Sequence, residues 1–529
     1  MTRKTFLNLT AGALLKTAAA AGSPPRVLDA ESFRHYVDGF NAMAQEDVVN
    51  FIPDAQSWDW MKRNVPLFTC PDADVERTYY FRWWTYRKNI KQTPKGFIVT
   101  EFLKPVNHAG EFNALSCAYG HHVAEGRWLH DPLFIEQDTH YWLRSGENGG
   151  LAKNFHQFSG WAAAALYDRW LVDGNRDSLV SYLDPLILDY VTWEKERLTE
   201  SGLFWQRDVS DGMESSISGG RKVKNIRPSI NSYLFGNARA IAAIASMAGK
   251  QTVAREYGDK AARLKELVEQ RLWNQDAGFF ETRLESGEFA PVRESIGYTP
   301  WYFDLPDDRA GYETAWKQLM DPAGFYAPYG PTTAERRSPQ FEIADSGDDC
   351  QWNGPSWPFA TTITLRALAN VLAGYHQSAV TRDDYFQTFL IYTRSQRLKL
   401  PDGRVIPAID EDLNPLTGEW WARARKLAKK TYYGRGDYYN HSGYCDLVIS
   451  GLVGLRPRND QVVEVSPLVP PGKWDWFCLD NVLYHGRLLT VVWDKTGSKF
   501  AKGKGLRVFA GGKEVARSAG LAPITGRLS

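Results

Sequence analysis

The chain has 529 residues, of which 43% are hydrophobic and 24% are charged, a composition typical of a globular protein with ample material for a large core. The formal net charge of +1 excludes both the strongly basic balance of a nucleic-acid-binding protein and an acidic tail for a cationic partner. The five cysteines are scattered and lack the ligand spacing of a zinc site, so we expect no structural metal and no cofactor.

The first 22 residues have the pattern of an export signal. Arg3 and Lys4 precede a short apolar stretch that ends at Leu15, and small residues follow at 18–21. The pattern predicts that residues 1–22 direct the protein to the periplasm or out of the cell, by either the twin-arginine or the general secretory route. A frayed N-terminal helix is the alternative. No later run reaches the ~18 apolar residues of a membrane span, so none is expected.

A lead-in segment, residues 23–70, is followed by a helical pattern from 71 to 455. Apolar residues recur at 3–4 spacing over 230–245 and again over 257–272, with a glycine between them, which predicts a pair of antiparallel helices. Further helices are predicted at 72–87, 161–171, 178–198, 357–375, 382–398 and 441–455.

Some of these helices are apolar on nearly every face and others on one face only. The helices at 357–375 and 441–455 are of the first kind, which suits inner helices that are covered on both sides, whereas 382–398 is amphipathic. This alternation predicts a mainly α fold, an (α/α)6 toroid over residues 71–455, in preference to an irregular helical array.

The pattern changes after residue 455. Short β-branched and apolar runs follow at 462–465, 488–493 and 506–509, and Gly511 and Gly512 form a good hairpin turn. Residues 456–529 are therefore predicted to form a small β-sandwich-like C-terminal module.

The segment 205–216 carries two acids around a glycine. Asp211 and Glu214 flank Gly212 just before a buried helix, and the glycine indicates a shaped loop. A general acid needs a carboxyl group in a cavity wall, where its pKa rises. The alternative is a turn with a helix-capping aspartate.

A second acidic loop lies at 410–419 and contains Glu411 together with proline and glycine. By itself such a composition favours a solvated surface turn over a catalytic loop.

The segment 351–358 places Trp352, Asn353 and Trp357 around a Gly-Pro pair that fixes the backbone, so the indole rings can be presented rigidly to a ligand. Asp349, just upstream, could bind hydroxyl groups. The alternative is a helix N-terminus with core tryptophans.

Two further segments, 81–87 and 136–142, mix aromatic and charged side chains. An aromatic ring beside hydrogen-bonding groups suits the apolar faces and hydroxyl rims of a sugar, and aromatic residues make up 13% of the chain. Arg87, Asp138 and Tyr141 are therefore candidate sugar ligands, with core packing as the alternative.

Together these segments resemble the helical-toroid glycosidases of glycoside hydrolase families 63 and 37, and most closely the mannosylglycerate-hydrolase-like group. The resemblance covers roughly residues 70–455, and its motifs occur in the family's order: Gln137-Asp138-Thr-x-Tyr141, Gly212-Met213-Glu214, Trp352-Asn-Gly354-Pro355-Ser-Trp357 and Glu411-Asp-Leu-Asn414-Pro415-x-Thr417-Gly418. It implies an inverting hydrolase, commonly of α-linked sugars, that needs no metal.

Two positions depart from the family pattern. Glu214 stands where these families usually have aspartate, which leaves Asp211 open as the acid, and Gln137 replaces a tryptophan. We assign Glu214 as the general acid and Glu411 as the general base, and an inverting pair should lie ~6.5–9.5 Å apart. The candidate substrate-binding residues are Arg87, Asp138, Tyr141, Asp211, Asn231, Asp349, Trp352, Asn353 and Trp357.

The expected partner is a carbohydrate, an α-linked oligosaccharide or glycoside. Two other classes remain as alternatives. A polysaccharide lyase would use Tyr439, Asn440 and His441 to remove a proton, and a non-catalytic protein would bind sugar without turnover.

Overall fold

The computed structural model describes residues 26–343 and 350–528. The predicted export signal and Asp349 both lie outside these ranges. The α-helices of the described chain are α1 Arg34–Asn41, α2 Ser57–Asn64, α3 Ala73–Lys88, α4 Tyr119–Gly126, α5 Leu133–Arg144, α6 Ala162–Asp173, α7 Arg176–Ser181, α8 Leu183–Arg197, α9 Pro228–Met247, α10 Gln251–Arg271, α11 Thr299–Tyr302, α12 Pro358–Gly374, α13 Arg382–Ser395 and α14 Trp421–Ala428.

The helices form the predicted (α/α)6 toroid. Helices α4, α6, α9, α11 and α12 and a π-helical turn, Leu447–Leu452, follow one another around the inner ring. Each is preceded in the chain by an outer element: α3, α5, α8, α10, the 3-10 helix Tyr312–Gln318 and α13, in that order. The inner helices are buried on nearly every face, and Asp446 closes the ring because its carboxylate accepts a hydrogen bond from Arg127 Nη2 at 2.6 Å.

Some helix starts carry a recognisable sequence signal. Asp72 accepts hydrogen bonds from the backbone N–H groups of Asp74 and Val75 at the start of α3, and α9 and α12 both begin with proline, which lacks the N–H that a first turn leaves unpaired.

Two predicted helices differ from the structure. Residues 178–198 form two helices, α7 and α8, because Pro185 is tolerated only in the first turn of a helix. The helix expected at 441–455 is shorter, because the N–H groups of Tyr444, Cys445 and Asp446 donate to the Glu125 carboxylate instead of continuing a helix upstream.

The β-strands of the described chain form small sheets. In chain order the strands are β1 Leu67–Thr69, β2 Ile90–Thr93, β3 Gly96–Val99, β4 Trp205–Gln206, β5 Asn225–Ile226, β6 Trp273–Asn274, β7 Phe279–Phe280, β8 Arg397–Lys399, β9 Val405–Pro407, β10 Leu455–Arg456, β11 Val462–Val465, β12 Trp476–Tyr484, β13 Arg487–Asp494, β14 Gly505–Ala510, β15 Lys513–Ser518 and β16 Ile524–Arg527.

The C-terminal strands form two sheets, in the orders β1-β12-β13-β14-β15 and β10-β11-β16. Gly511 and Gly512 have φ values of 56° and 84° and make the predicted hairpin between β14 and β15. The lead-in segment is part of this region, because β1 pairs antiparallel with β12. In the described part of the chain, no helix combines the length and the apolar character that crossing a bilayer requires.

Candidate active site

A cavity of about 190 Å³ opens at the end of the toroid where the inner helices begin, and we call it the carboxylate cavity. Its walls combine carboxyl groups, thiols, aromatic rings and one guanidinium group. The lining residues are Glu101, Phe102, His108, Leu115, Cys117, Gln157, Phe158, Val209, Asp211, Gly212, Glu214, Cys350, Trp352, Trp357, Phe359, Arg435, Tyr439 and His441.

Glu214 reaches the carboxylate cavity from a tight loop. A 3-10 turn ends at Asp211, and Gly212 then takes φ 71°, which favours glycine. The backbone N–H of Trp352 donates to Glu214 O at 3.1 Å and ties the two cavity loops together. Burial raises the pKa of the Glu214 carboxyl group to about 7; the charges of Asp208 and Glu411 act in the same direction, and Arg221 opposes them.

Asp211 also lines the carboxylate cavity but is held differently. Its Oδ2 accepts a hydrogen bond from Arg227 Nε at 2.9 Å and another from the Ser229 hydroxyl, and the side chains of Asp211 and Arg227 are both fully buried. Its Oδ2 is therefore already occupied by two protein donors and is not free to approach a glycosidic oxygen.

Glu411 lies one side chain behind the cavity wall. Its Oε1 is 3.1 Å from Arg435 Nε, its Oε2 accepts from Arg435 Nη2 at 3.2 Å, and Lys426 Nζ lies 3.7 Å away. The Cys350 thiol is 3.6 Å from Oε2, and both Cys350 and Arg435 line the cavity whereas Glu411 itself is 1% exposed and does not.

The loop that carries Glu411 is not a solvated turn. Asp410, Glu411 and Asp412 are 3%, 1% and 0% exposed, and basic side chains of α14 face them. Burial raises the pKa of both aspartates to about 7.

Trp352 and Trp357 stack in the cavity wall, with ring centroids 4.7 Å apart and planes 16° from parallel. The indole N–H of Trp357 donates to Gln351 O at 2.8 Å. Gly354, between them, packs so closely that a Cβ atom there would lie 2.1 Å from Glu342 O. Asn353 donates to Glu342 Oε2 at 3.4 Å and does not line the cavity.

Glu101 is a third carboxyl group of the cavity and was not among the sequence candidates. It is 3% exposed, its Oε1 accepts from the Tyr439 hydroxyl, and its Oε2 accepts from Cys117 Sγ at 2.8 Å. Burial raises its pKa to about 7, and the charge of Glu411 adds to this effect. Glu101 follows β3 in a segment with no neighbouring acid or glycine, so no local motif marks it.

Arg87 and Asp138 do not line the carboxylate cavity. Arg87 is 0% exposed and donates to Ile52 O and Asp54 Oδ1, each at 2.6 Å, which makes it a buried link between α3 and the lead-in segment. Asp138 accepts from the backbone N–H of Val99 at 3.1 Å, and burial raises its pKa to about 8.

Asn231 and Tyr141 are also placed elsewhere. Asn231 exchanges two 2.8 Å hydrogen bonds with the backbone of Phe204, and Tyr141 packs edge-on against Trp142 with ring centroids 5.0 Å apart. The structure thus brings Asp211, Glu214, Trp352 and Trp357 to one cavity, with Glu411 directly behind it.

One solved structure, named Sialidase, is 46% identical in sequence to this chain, with a TM-score of 0.89. The similarity covers 94% of this chain but only 45% of that protein, so this chain spans less than half of the relative's length.

Two more distant structures share the fold. The family 63 mannosylglycerate hydrolase from Thermus thermophilus is 14% identical, covering 70% of this chain and 99% of that one with a TM-score of 0.50. The family 78 rhamnosidase of a Bacillus species is 13% identical, covering 84% of this chain and 41% of that one with a TM-score of 0.53.

Family models match both parts of the chain. Residues 455–517 match the C-terminal domain of glycosyl hydrolase family 65. Residues 111–442, more than half of the chain, match the mannosylglycerate hydrolase MGH1-like glycoside hydrolase domain. The chain therefore belongs to the MGH1-like glycoside hydrolase family.

Proposed function

We propose that this protein is a glycosidase that hydrolyses an α-linked glycoside with inversion at the anomeric carbon. The observation that carries the proposal is the placement of two acids at one cavity: Glu214 lines the carboxylate cavity, and Glu411 lies directly behind Cys350, another lining residue, whose thiol is 3.6 Å from Glu411 Oε2.

Glu214 serves as the general acid. With a pKa raised to about 7, a substantial fraction of its carboxyl group is protonated near neutral pH and can give the proton to the leaving glycosidic oxygen. Asp211 is the weaker candidate because its Oδ2 is already engaged by Arg227 and Ser229.

Glu411 serves as the general base. Because Cys350 and Arg435 separate it from the cavity, in this role it takes a proton from a water molecule held beside these two side chains, while the resulting hydroxide adds to the anomeric carbon on the face opposite the leaving oxygen. Glu101 is the competing base, but Tyr439 and Cys117 already donate to both of its oxygens.

We expect one neutral sugar ring of the substrate to bind in this cavity. The volume of about 190 Å³ lies below the roughly 300–1,000 Å³ of pockets for drug-sized ligands, which suits a single ring against the Trp352–Trp357 stack. The one guanidinium group in the wall, that of Arg435, already contacts Glu411, so the described lining residues offer an acidic sugar no unpaired guanidinium group.

A screen of aryl glycosides, followed by proton NMR of the first product, tests the proposal. We expect turnover of a neutral glycoside with inverted anomeric configuration at early times, before mutarotation. Retention would exclude the inverting assignment. An unsaturated product from a uronic-acid substrate would identify a lyase acting through Tyr439 and His441, both of which line the cavity.

Sialosides belong in the same screen because the 46% identical relative is named Sialidase. Exclusive turnover of sialosides would contradict the neutral-sugar assignment, whereas saturable sugar binding without any turnover would contradict the catalytic one.

We also propose that the protein is exported, on the strength of Arg3, Lys4 and the apolar stretch after them. Mass spectrometry of the mature protein should find a new N-terminus near residue 22, and a mature cytoplasmic protein that begins at Met1 or Thr2 would contradict export.

A further inference from the structure

A second cavity, of about 490 Å³, lies at the opposite end of the toroid, and we call it the distal cavity. Asp168 of α6, Arg239 of α9 and Arg366 of α12 line it from the middle or last turns of these helices, whereas the carboxylate cavity lies where the inner helices begin. It therefore takes no part in the chemistry proposed above.

Four arginines line the distal cavity, and three of them have carboxylate partners. Arg366 pairs with Asp168 and, at 3.3 Å, with Asp446; Arg127 pairs with Asp446 at 2.6 Å. The exposed Arg239 lies 4.0 Å from Asp304.

The fourth arginine, Arg456, has no carboxylate within 4.0 Å among the described residues. Its two terminal nitrogens donate to Asn370 Oδ1 at 3.4 Å and to Ala369 O at 2.7 Å, and its Nε is buried without a hydrogen-bond partner in the described chain. Burial, together with the positive charge of Arg366, lowers the pKa of Arg456, while Tyr385, Asp304 and Glu464 act in the opposite direction from beyond ion-pair distance.

The charges around the distal cavity do not cancel. Arg127, Arg239, Arg366 and Arg456 give +4, and three carboxylates, those of Asp168, Asp304 and Asp446, give −3, which leaves one positive charge at Arg456. Arg456 is half-buried and its Nε is fully enclosed, so a bound anion that supplies the missing counter-charge would be favoured there.

We propose that the distal cavity binds a small singly charged organic acid, with its carboxylate against Arg456 and its carbon skeleton against the rings of Tyr302 and Phe303. The excess of one charge selects a carboxylate over a doubly charged phosphate. The adjoining rings and the cavity volume suit a molecule of the size of a sugar acid.

Calorimetric titration with glucuronate in a low-chloride buffer tests this site, with glucose as the neutral match and inorganic phosphate as the second anion. We expect saturable binding of glucuronate with a dissociation constant below ~10 mM and weaker binding of phosphate. Any glucose binding belongs to the carboxylate cavity and should be the same in the wild type and in R456Q. No saturable glucuronate binding, or a loss of glucose binding in R456Q equal to that of glucuronate, would overturn the proposal.

Substitutions of Arg456 test whether glucuronate binds in the distal cavity. R456Q should lower glucuronate affinity at least tenfold, whereas R456K, which keeps the charge, should retain part of it. R458Q is the control, since Arg458 lies two residues on and already has Asp460 and Glu464 as partners at 2.9 and 2.7 Å. Unchanged affinity in a folded R456Q protein, verified by circular dichroism, would contradict the site.

Discussion

At the residue scale, the chemistry depends on how the protein surrounds Glu214. Its carboxyl group is mostly buried and feels the charges of two other carboxylates, Asp208 and Glu411, while the charge of Arg221 acts in the opposite direction. Desolvation disfavours the charged form of an acid, so the Glu214 carboxyl group can act as a neutral proton donor.

The pH dependence of activity follows from this raised pKa. Glu214 is protonated below about pH 7 and loses its proton above it, so kcat/KM should fall about tenfold per pH unit on the alkaline side. R221Q should move this limb to higher pH because Arg221 lowers the pKa of Glu214, whereas K222Q, at an exposed neighbour, should not. Measured pH profiles with no alkaline limb, or a limb moved down in R221Q, would contradict the assignment.

For some single residues, the sequence could not show whether the side chain faces a cavity or the protein interior. Arg87 and Asp138 have the same neighbours in the sequence as sugar ligands would, namely aromatic and polar side chains. Whether such a residue faces a cavity or a buried backbone group depends on partners such as Asp54 and Val99, which lie 33 and 39 residues away.

At the element scale, backbone contacts hold the loops of the carboxylate cavity together. The segment between Trp352 and Trp357 was recognisable from its Gly-Pro pair. The burial of the acidic loop at 410–412 was not, because its composition is that of a surface turn. Its counter-charges, Arg423, Arg425 and Lys426, come from α14, 13 to 15 residues later than the acids they face.

A substitution at Gly354 tests how tightly this loop is packed. A Cβ atom in G354A would meet Glu342 O at 2.1 Å, so the backbone must shift and the Trp352–Trp357 stack with it. We expect a loss of about 1–3 kcal/mol of stability and a lower kcat/KM.

G374A is the matched control, because a Cβ at Gly374, in the last turn of α12, meets nothing within 4 Å. It should leave activity unchanged and stability unchanged or slightly higher. Urea unfolding and near-ultraviolet circular dichroism measure both effects, and equal behaviour of the two variants would contradict a tightly packed loop.

At the scale of the whole molecule, the toroid could be predicted because its inner helices are apolar on all faces, a pattern that requires neighbours on both sides. The association of the lead-in segment with the C-terminal sheets could not, because β1 has only three residues and its partner β12 lies about 410 residues later, a separation that no local pattern reports.

Asp480 links the lead-in segment to the C-terminal sheets. It is 2% exposed, and its carboxylate accepts hydrogen bonds from the N–H groups of Val27 and Leu28 at 2.7 and 2.9 Å and from the Thr490 hydroxyl at 2.6 Å. D480A should therefore lower the free energy of unfolding by about 2–4 kcal/mol.

The exposed Asp475 provides the comparison. It pairs only with Lys495 at the surface, so D475A should change stability by less than about 0.5 kcal/mol. Thermal unfolding of both variants measures the difference, and a D480A protein as stable as D475A would show that the lead-in segment is not anchored through this carboxylate.

The most direct test of the central claim compares kcat/KM of E214Q, E411Q and E101Q on the best glycoside from the screen. Glu281 supplies the control: it is 5% exposed, its pKa is also raised to about 7, and it does not line the carboxylate cavity. We expect E214Q and E411Q to lose at least about 10³-fold while E281Q keeps full activity and E101Q loses far less. Wild-type turnover in folded E214Q or E411Q, or a complete loss in E101Q alone, would contradict the two-carboxylate mechanism as assigned.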